Sequence, residues 1–108
     1  KYMANNFSDA SVTISNASLT DIFTASNKSM VIAGTLSNTG ASAINVTIKK
    51  YDNSATATFT IILNAPLPVG SSLNIPKIVL NTSDKVQAQS SSSSGNIDVA
   101  LQLLTDVA

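Results

Sequence analysis

Stretch after stretch of this sequence alternates its side chains with a period of two. In AINVTIKKY, Ile44, Val46 and Ile48 fall on one side, with Asn45, Thr47 and Lys49 on the other. In ATATFTIIL, Ala57, Phe59, Ile61 and Leu63 alternate with Thr56, Thr58, Thr60 and Ile62. In NIDVALQLL, Ile97, Val99, Leu101 and Leu103 alternate with Asp98, Ala100 and Gln102. Successive side chains of a β-strand point to opposite faces, so the pattern predicts half-buried strands. Helix is disfavoured independently: Glu and Arg, two good helix formers, are absent and β-branched residues abound. SMVIAGTLSN is a more continuous apolar run and predicts a strand covered on both faces. Shorter strands are expected at Val12 to Ser15, Leu19 to Thr24, Ser72 to Ile75, Ile78 to Leu80 and Lys85 to Gln89.

Turn signals separate these runs: SNKS, SNTGAS, DNS, NTSD and the serine tract SSSSSGN. The Tyr51 to Ala55 connection reads as a tight hairpin in which Asp52 and Asn53 tolerate positive φ. The serine tract reads as a flexible hairpin tip. In LNAPLPVGSSLNI, Leu63 to Ile75, Pro66 and Pro68 cannot donate to a ladder, so the preceding strand should end near Leu63. Gly70 permits a conformation other residues avoid, and Leu73 and Ile75 resume the alternation. The segment holds no acid, base or nucleophile pair, so it reads as a crossover between strands rather than a ligand loop. Many short strands with frequent turns imply an all-β fold: a small antiparallel β-sandwich, jelly-roll or Ig-like, of about eight strands. It forms a single domain over residues 11–108, preceded by a polar N-terminal arm over residues 1–10. That arm carries Tyr2, Met3 and Phe7 and is either a disordered tail or a segment that orders on a neighbouring subunit.

Composition narrows the chemistry. The 108 residues include neither Cys nor His, so disulfides, thiolate metal sites and the usual general base are all missing. Six Lys and six Asp balance to zero net charge, which gives no pull toward nucleic acid or anionic lipid. No run approaches the roughly 20 apolar residues of a membrane-spanning helix. The start, KYMANNFSDAS, lacks the apolar stretch of a signal peptide. Ser, Thr and Asn supply most of the polarity, and such a surface packs against other protein with few ions to desolvate.

The remaining candidates for chemistry each have a plainer reading. Asp84 and Lys85 are adjacent and would face opposite sides of a strand, a poor geometry for catalysis. Asp84 is expected instead to accept backbone hydrogen bonds in a turn. The aspartates are scattered without calcium-loop spacing. The serines lack a base to activate them, and the sequons at Asn16 and Asn45 are expected by chance in so Asn-, Ser- and Thr-rich a chain. Lys49, Lys50 and Tyr51 are too few for a nucleic-acid stripe; a lysine there reads as a guard on an edge strand. No catalytic, cofactor-binding or metal-ligating residue is assigned, and the chain is not expected to be an enzyme.

Three pieces, taken in order, resemble a family of small tailed-bacteriophage virion proteins of the head-decoration, or cement, type. They are VTISNASLTDIFTASNKSMVIAGTLSNTGASAINVTIKKYD, LNAPLPVGSSLNI and KIVLNTSDKVQAQSSSSSGNIDVALQLL, and the resemblance spans about Val12 to Leu104. The chain departs from the pattern at NTSD, where Ser83 stands in place of the usual Gly before Asp84. The resemblance implies a β-sandwich on the outer surface of a phage head that contacts the major capsid protein or other virion proteins. It also implies a homo-oligomer, a trimer being favoured. A tail or fibre position, or a host-surface glycan-binding module, is the alternative. The pattern contains no functional site to carry over.

Overall fold

The computed structural model describes residues 6–15, 17–92 and 96–106. Nine strands are present: β1 (Asn6–Ile14), β2 (Thr20–Thr24), β3 (Ser29–Asn38), β4 (Ile44–Asp52), β5 (Ala57–Leu67), β6 (Ser72–Ile75), β7 (Ile78–Leu80), β8 (Lys85–Ser90) and β9 (Ile97–Thr105). One sheet, here sheet A, runs β1-β9-β3-β6 with β7 also paired to β3; the other, sheet B, runs β2-β8-β4-β5. All pairings are antiparallel. β6 and β7 lie along the same side of β3 and are separated only by Pro76 and Lys77, so they act as one broken strand. Counted that way there are eight, and the first pairs the eighth, the second the seventh, the third the sixth and the fourth the fifth. A long hairpin rolled into two sheets in this nested order is a jelly roll, which decides against the Ig-like alternative.

The core lies between the sheets. Sheet A contributes Ile14, Val31, Leu36, Ile75, Ile78, Leu80, Ile97, Val99, Leu101 and Leu103, and sheet B contributes Ile44, Val46, Ile48, Leu67, Val86 and Ala88. Each fully buried aliphatic side chain is worth about 1.5–3 kcal/mol relative to exposure. Gly34 keeps β3 in this packing: a Cβ there would stand 2.8 Å from Leu101 Cδ2 and 3.2 Å from Ile75 Cβ.

The alternation in β4, β8 and β9 is as expected; β5 departs from it. The pairing with β4 skips a residue at Ile61 and another at Leu63–Asn64, so β5 carries two bulges. Ile62, Ala65 and Leu67 therefore share the inward face of Ile48, Val46 and Ile44, while Leu63 is turned out and 67% exposed. Phe59, expected inside, sits opposite Lys50 and is 52% exposed. Asn64 takes φ 48° at the second bulge, held by its N–H donating to Thr47 Oγ1 at 3.1 Å. β5 also continues through Pro66 to Leu67 instead of stopping near Leu63, because β5 is an edge strand and tolerates a missing donor.

Several other expectations need correction. β3 is buried on one face only; a bulge at Ile32 breaks the apolar run, and Met30, Ala33 and Ser37 stay partly exposed on the outer face. β4 lies between β8 and β5, so Lys49 and Lys50 guard no edge. The β4–β5 hairpin is present, but its positive φ falls on Thr56, while Asp52 accepts hydrogen bonds from the Ser54 and Ala55 N–H groups. The connection containing the serine tract joins β8 in one sheet to β9 in the other, so it is a crossover and not a hairpin; its Ser93 to Gly95 lie outside the described residues. Within the segment assigned to the arm, Asn6 to Ala10 belong to β1 and pair with β9; Lys1 to Asn5 lie outside the described residues.

Leu63 to Ile75 is the crossover the sequence suggests. Pro68 to Ser71 form a turn with Gly70 at φ 76° and Ser71 N–H donating to Pro68 O at 3.1 Å, which carries the chain from β5 to β6. It is anchored on buried Asn38, whose Nδ2 donates to Leu67 O and Ser42 O, both at 2.9 Å, and whose Oδ1 accepts from Gly40 N–H.

Asp84 does the corresponding work at the other end. It is buried and accepts from Asn53 N–H and Asn81 N–H at 2.9 Å, with Lys50 Nζ 3.8 Å away. Beside it Ser83 adopts φ 74°, the left-handed conformation that glycine takes without strain. Asp84→Ala should cost about 2–4 kcal/mol by removing the charged acceptor of the Asn53 and Asn81 N–H groups and leaving a gap in its buried place, read as a lower urea midpoint. Ser83→Gly should be neutral or stabilising by up to about 1 kcal/mol in the same measurement.

Candidate functional site

The charged residues do not converge on a centre for chemistry. Asp84 is enclosed by backbone donors, and its neighbour Lys85 points elsewhere, pairing with Asp21 at 3.3 Å and lying 5.8 Å from the centroid of the Tyr51 ring. Asp98 accepts from Thr13 Oγ1 at 2.7 Å. Asp106 accepts from Asn27 Nδ2 at 2.7 Å and Asn6 Nδ2 at 2.9 Å, tying β1 to the end of β9. Among the described residues no three potential metal ligands of the His, Cys, Asp or Glu types gather. Ser90 is buried at the end of β8, and Ser91 Oγ accepts from Asn45 N–H at 2.9 Å. Asn45 is exposed, whereas Asn16 lies outside the described residues.

What the fold does build is a pair of unlike outer faces. Residues paired across neighbouring strands share a face, so the register reads out each row. On sheet B the paired rows are polar: Tyr51 with Lys85 and Thr58, then Lys49 with Gln87, Asp21 and Thr60, then Thr47 with Gln89, with the bulged and exposed Leu63 beside this last row. On sheet A three rows are polar or small: Thr13–Asp98–Ser37–Ser72, Ser11–Ala100–Thr35–Asn74 and Asp9–Gln102–Ala33. The fourth row is apolar on every strand, Phe7–Leu104–Met30–Val79, with the bulged Ile32 beside it. Phe7 is 83% exposed and Val79 56%.

With strands about 4.8 Å apart, four neighbours put this apolar row across roughly 15 Å of the outer face. On the same face, beyond the Asp9–Gln102–Ala33 row, small side chains leave a shallow open hollow of about 470 Å³ between β1, β9 and β3, lined by Ser11, Thr13, Thr35, Ser37, Asp98 and Ala100 among others. Phe7 is the member of the row visible from sequence, as an exposed aromatic; Tyr2 and Met3, named with it, lie outside the described residues. Leu104, Met30 and Val79 carry no signal of their own, because only the register of distant strands aligns them.

No protein-family model and no curated protein matches the chain by sequence. Its fold is similar to solved structures. A chain from the capsid of Helicobacter pylori bacteriophage KHP30, described as acid-stable, superposes with a TM-score of 0.62 at 8% identity, covering 99% of this chain and 92% of that one. A subunit of Bacillus endospore appendages, described as a novel family of disulfide-linked pili, superposes with a TM-score of 0.61 at 15% identity, covering 99% and 90%. A chain of infectious bursal disease virus, Gx strain, gives 0.52 at 18% identity, covering 96% of this chain but 32% of its own length. At these identities the likeness is one of fold.

Two carboxyls are held below their ordinary value of 3.8: Asp21 mainly by the Gln87 amide and also by Lys85, against some desolvation, and Asp52 mainly by the Ser54 hydroxyl and then by Ala55 N–H. A depressed folded-state pKa gives stability that is full above the unfolded value and lost as pH falls through the folded one. Carboxyl-carbon NMR titration should therefore place both midpoints below 3.8, and Ser54→Ala should move that of Asp52 back toward it.

Proposed function

We propose that this chain is a structural protein of a tailed-phage virion that decorates the outer surface of the head, docking on the major capsid protein. The observation that carries this is the near-complete superposition on a phage capsid chain, 99% of this chain and 92% of the other. It agrees with the sequence resemblance over Val12 to Leu104. The mechanism is added interface: each copy bridges neighbouring shell subunits, and many weak contacts in fixed geometry sum to strong reinforcement. The outer face of sheet A suits such docking. It combines an apolar row with Ser, Thr and Asn side chains that desolvate at low cost and with few charges. Catalysis has no part in this reading, since His, Cys, Glu and Arg are all missing and the buried Asp84 and its neighbour Lys50 are engaged in structural contacts.

The likeness to a pilus subunit supports the same broad theme of repeated copies, but a disulfide link has no counterpart among these 108 residues. For a glycan-binding role the described surface offers Phe7 and Phe59 on separate strands of different sheets, and Tyr51 is half-buried beside Lys85. Nothing in the strand pairings favours a trimer over other oligomers, and the sheet edges argue for a different association, given below. Particles assembled without the protein should rupture at lower temperature and under milder osmotic shock, and image reconstruction should locate hundreds of copies on the head. Unchanged particle stability, or a few copies confined to the tail, would rule out the decoration role.

A further inference from the structure

A sheet edge exposes unpaired N–H and C=O groups, and proteins block edges that are not meant to pair. Three of the four edges here are blocked. β5 carries Pro66 and two bulges; β6 and β7 are short and broken at Pro76 and Lys77; β2 is five residues long, bulged, and bears the Asp21–Lys85 ion pair. β1 has none of these devices. Its nine residues pair with β9 in unbroken register, contain no Pro, Gly or Lys, and have a strand on one side only among the described residues. Ala10 and Val12 face the core there yet remain partly exposed, which leaves the sandwich open along this flank.

We infer that β1 pairs antiparallel with β1 of a second copy about a two-fold axis, joining the two copies of sheet A into one continuous sheet. The occupant follows by elimination, because among the described residues the one unblocked edge a second copy offers is the same strand, and like meeting like closes as a dimer. The register follows from faces and charge. Continuity of the outer faces requires partners of matching parity, and centring on Ala10 pairs all nine residues, Asn6 with Ile14 through to Ile14 with Asn6. Centring on Asp9 would set the two Asp9 carboxylates directly opposite each other, which is destabilising. Centred on Ala10, each Asp9 faces Ser11 of the other copy. Each exposed Phe7 then lies beside the other copy's Thr13, at the rim of the hollow lined by Thr13, Thr35, Ser37, Asp98 and Ala100, so one knob meets one recess on each side of the axis.

The association is a property of the purified chain and stands apart from the virion reading. Sedimentation-velocity and light-scattering series should show a reversible dimer. Ser11 is exposed, so both signs of charge can be placed there without disturbing the core. Ser11→Asp should raise the dimer dissociation constant by roughly three- to tenfold by setting like charges opposite Asp9 twice. Ser11→Lys should leave it unchanged or lower it, and Phe7→Ala should raise it, with thermal unfolding confirming that each variant is folded. A monomer at all concentrations, a discrete trimer, or equal effects of Ser11→Asp and Ser11→Lys would overturn the proposal.

Discussion

A jelly roll crosses between its two sheets at both ends, and each crossing brings backbone N–H and C=O groups over the open end of an apolar core. Unpaired, each would cost about 1–3 kcal/mol. The fold therefore depends on two buried polar side chains that satisfy these groups. Asn38 does so where β3 ends and β5 passes to β6, using both its amide nitrogen and its oxygen. Asp84 does so at the opposite end, binding the β4–β5 loop through Asn53 and its own turn through Asn81, while its backbone carbonyl takes Ala25 N–H ahead of β3. Polar residues are thus kept where apolar ones would pack well, because an aliphatic side chain could close the core but could not close the crossings.

What the sequence disclosed and what it hid divide along the same physical line. Strands that pair without interruption keep their alternation in the sequence, so β9 and β4 are legible residue by residue. Asp84 was legible too, since a short carboxylate in an NTSD turn has few better uses than its neighbours' amides. β5 was misread because each bulge reverses the inside–outside parity, and two of them in one strand leave a sequence that still looks alternating. Pro66 was read as a terminator because nothing local distinguishes an edge strand from a central one. The serine tract reads as a hairpin tip because proximity in sequence suggests pairing, whereas nested topology sends β8 and β9 to different sheets. The apolar row was hidden for a related reason. Phe7, Met30, Val79 and Leu104 come from four separate strands and acquire meaning only in register.

The unlike outer faces give the module a direction. Sheet B carries Lys49, Lys85, Asp21 and the glutamines on its outer face, with Asp21 paired to Lys85 and to the Gln87 amide. The outer face of sheet A bears two aspartates in its rows and an apolar row at one end. A chain with so little charge cannot rely on net repulsion to stay dispersed. Blocking three edges therefore narrows where another chain can add to the sheets, and the apolar row Phe7–Leu104–Met30–Val79 begins on the strand that is left open.

Topology also sets when that surface exists. The outermost pairing joins Asn6 to Thr105, so sheet A is incomplete until the last strand docks between β1 and β3. Pairings between residues so distant in sequence are slow to form, because loop-closure entropy is lost before the contacts compensate it. The β1 edge, the row Phe7–Leu104–Met30–Val79 and the hollow on the same face all need β9 in place. Before that, β1 is a strand without a sheet; afterwards it is a rigid edge with defined neighbours. The edge-to-edge pairing proposed for β1 is thereby withheld from partly folded chains, because the nested order that makes the sandwich completes that flank last.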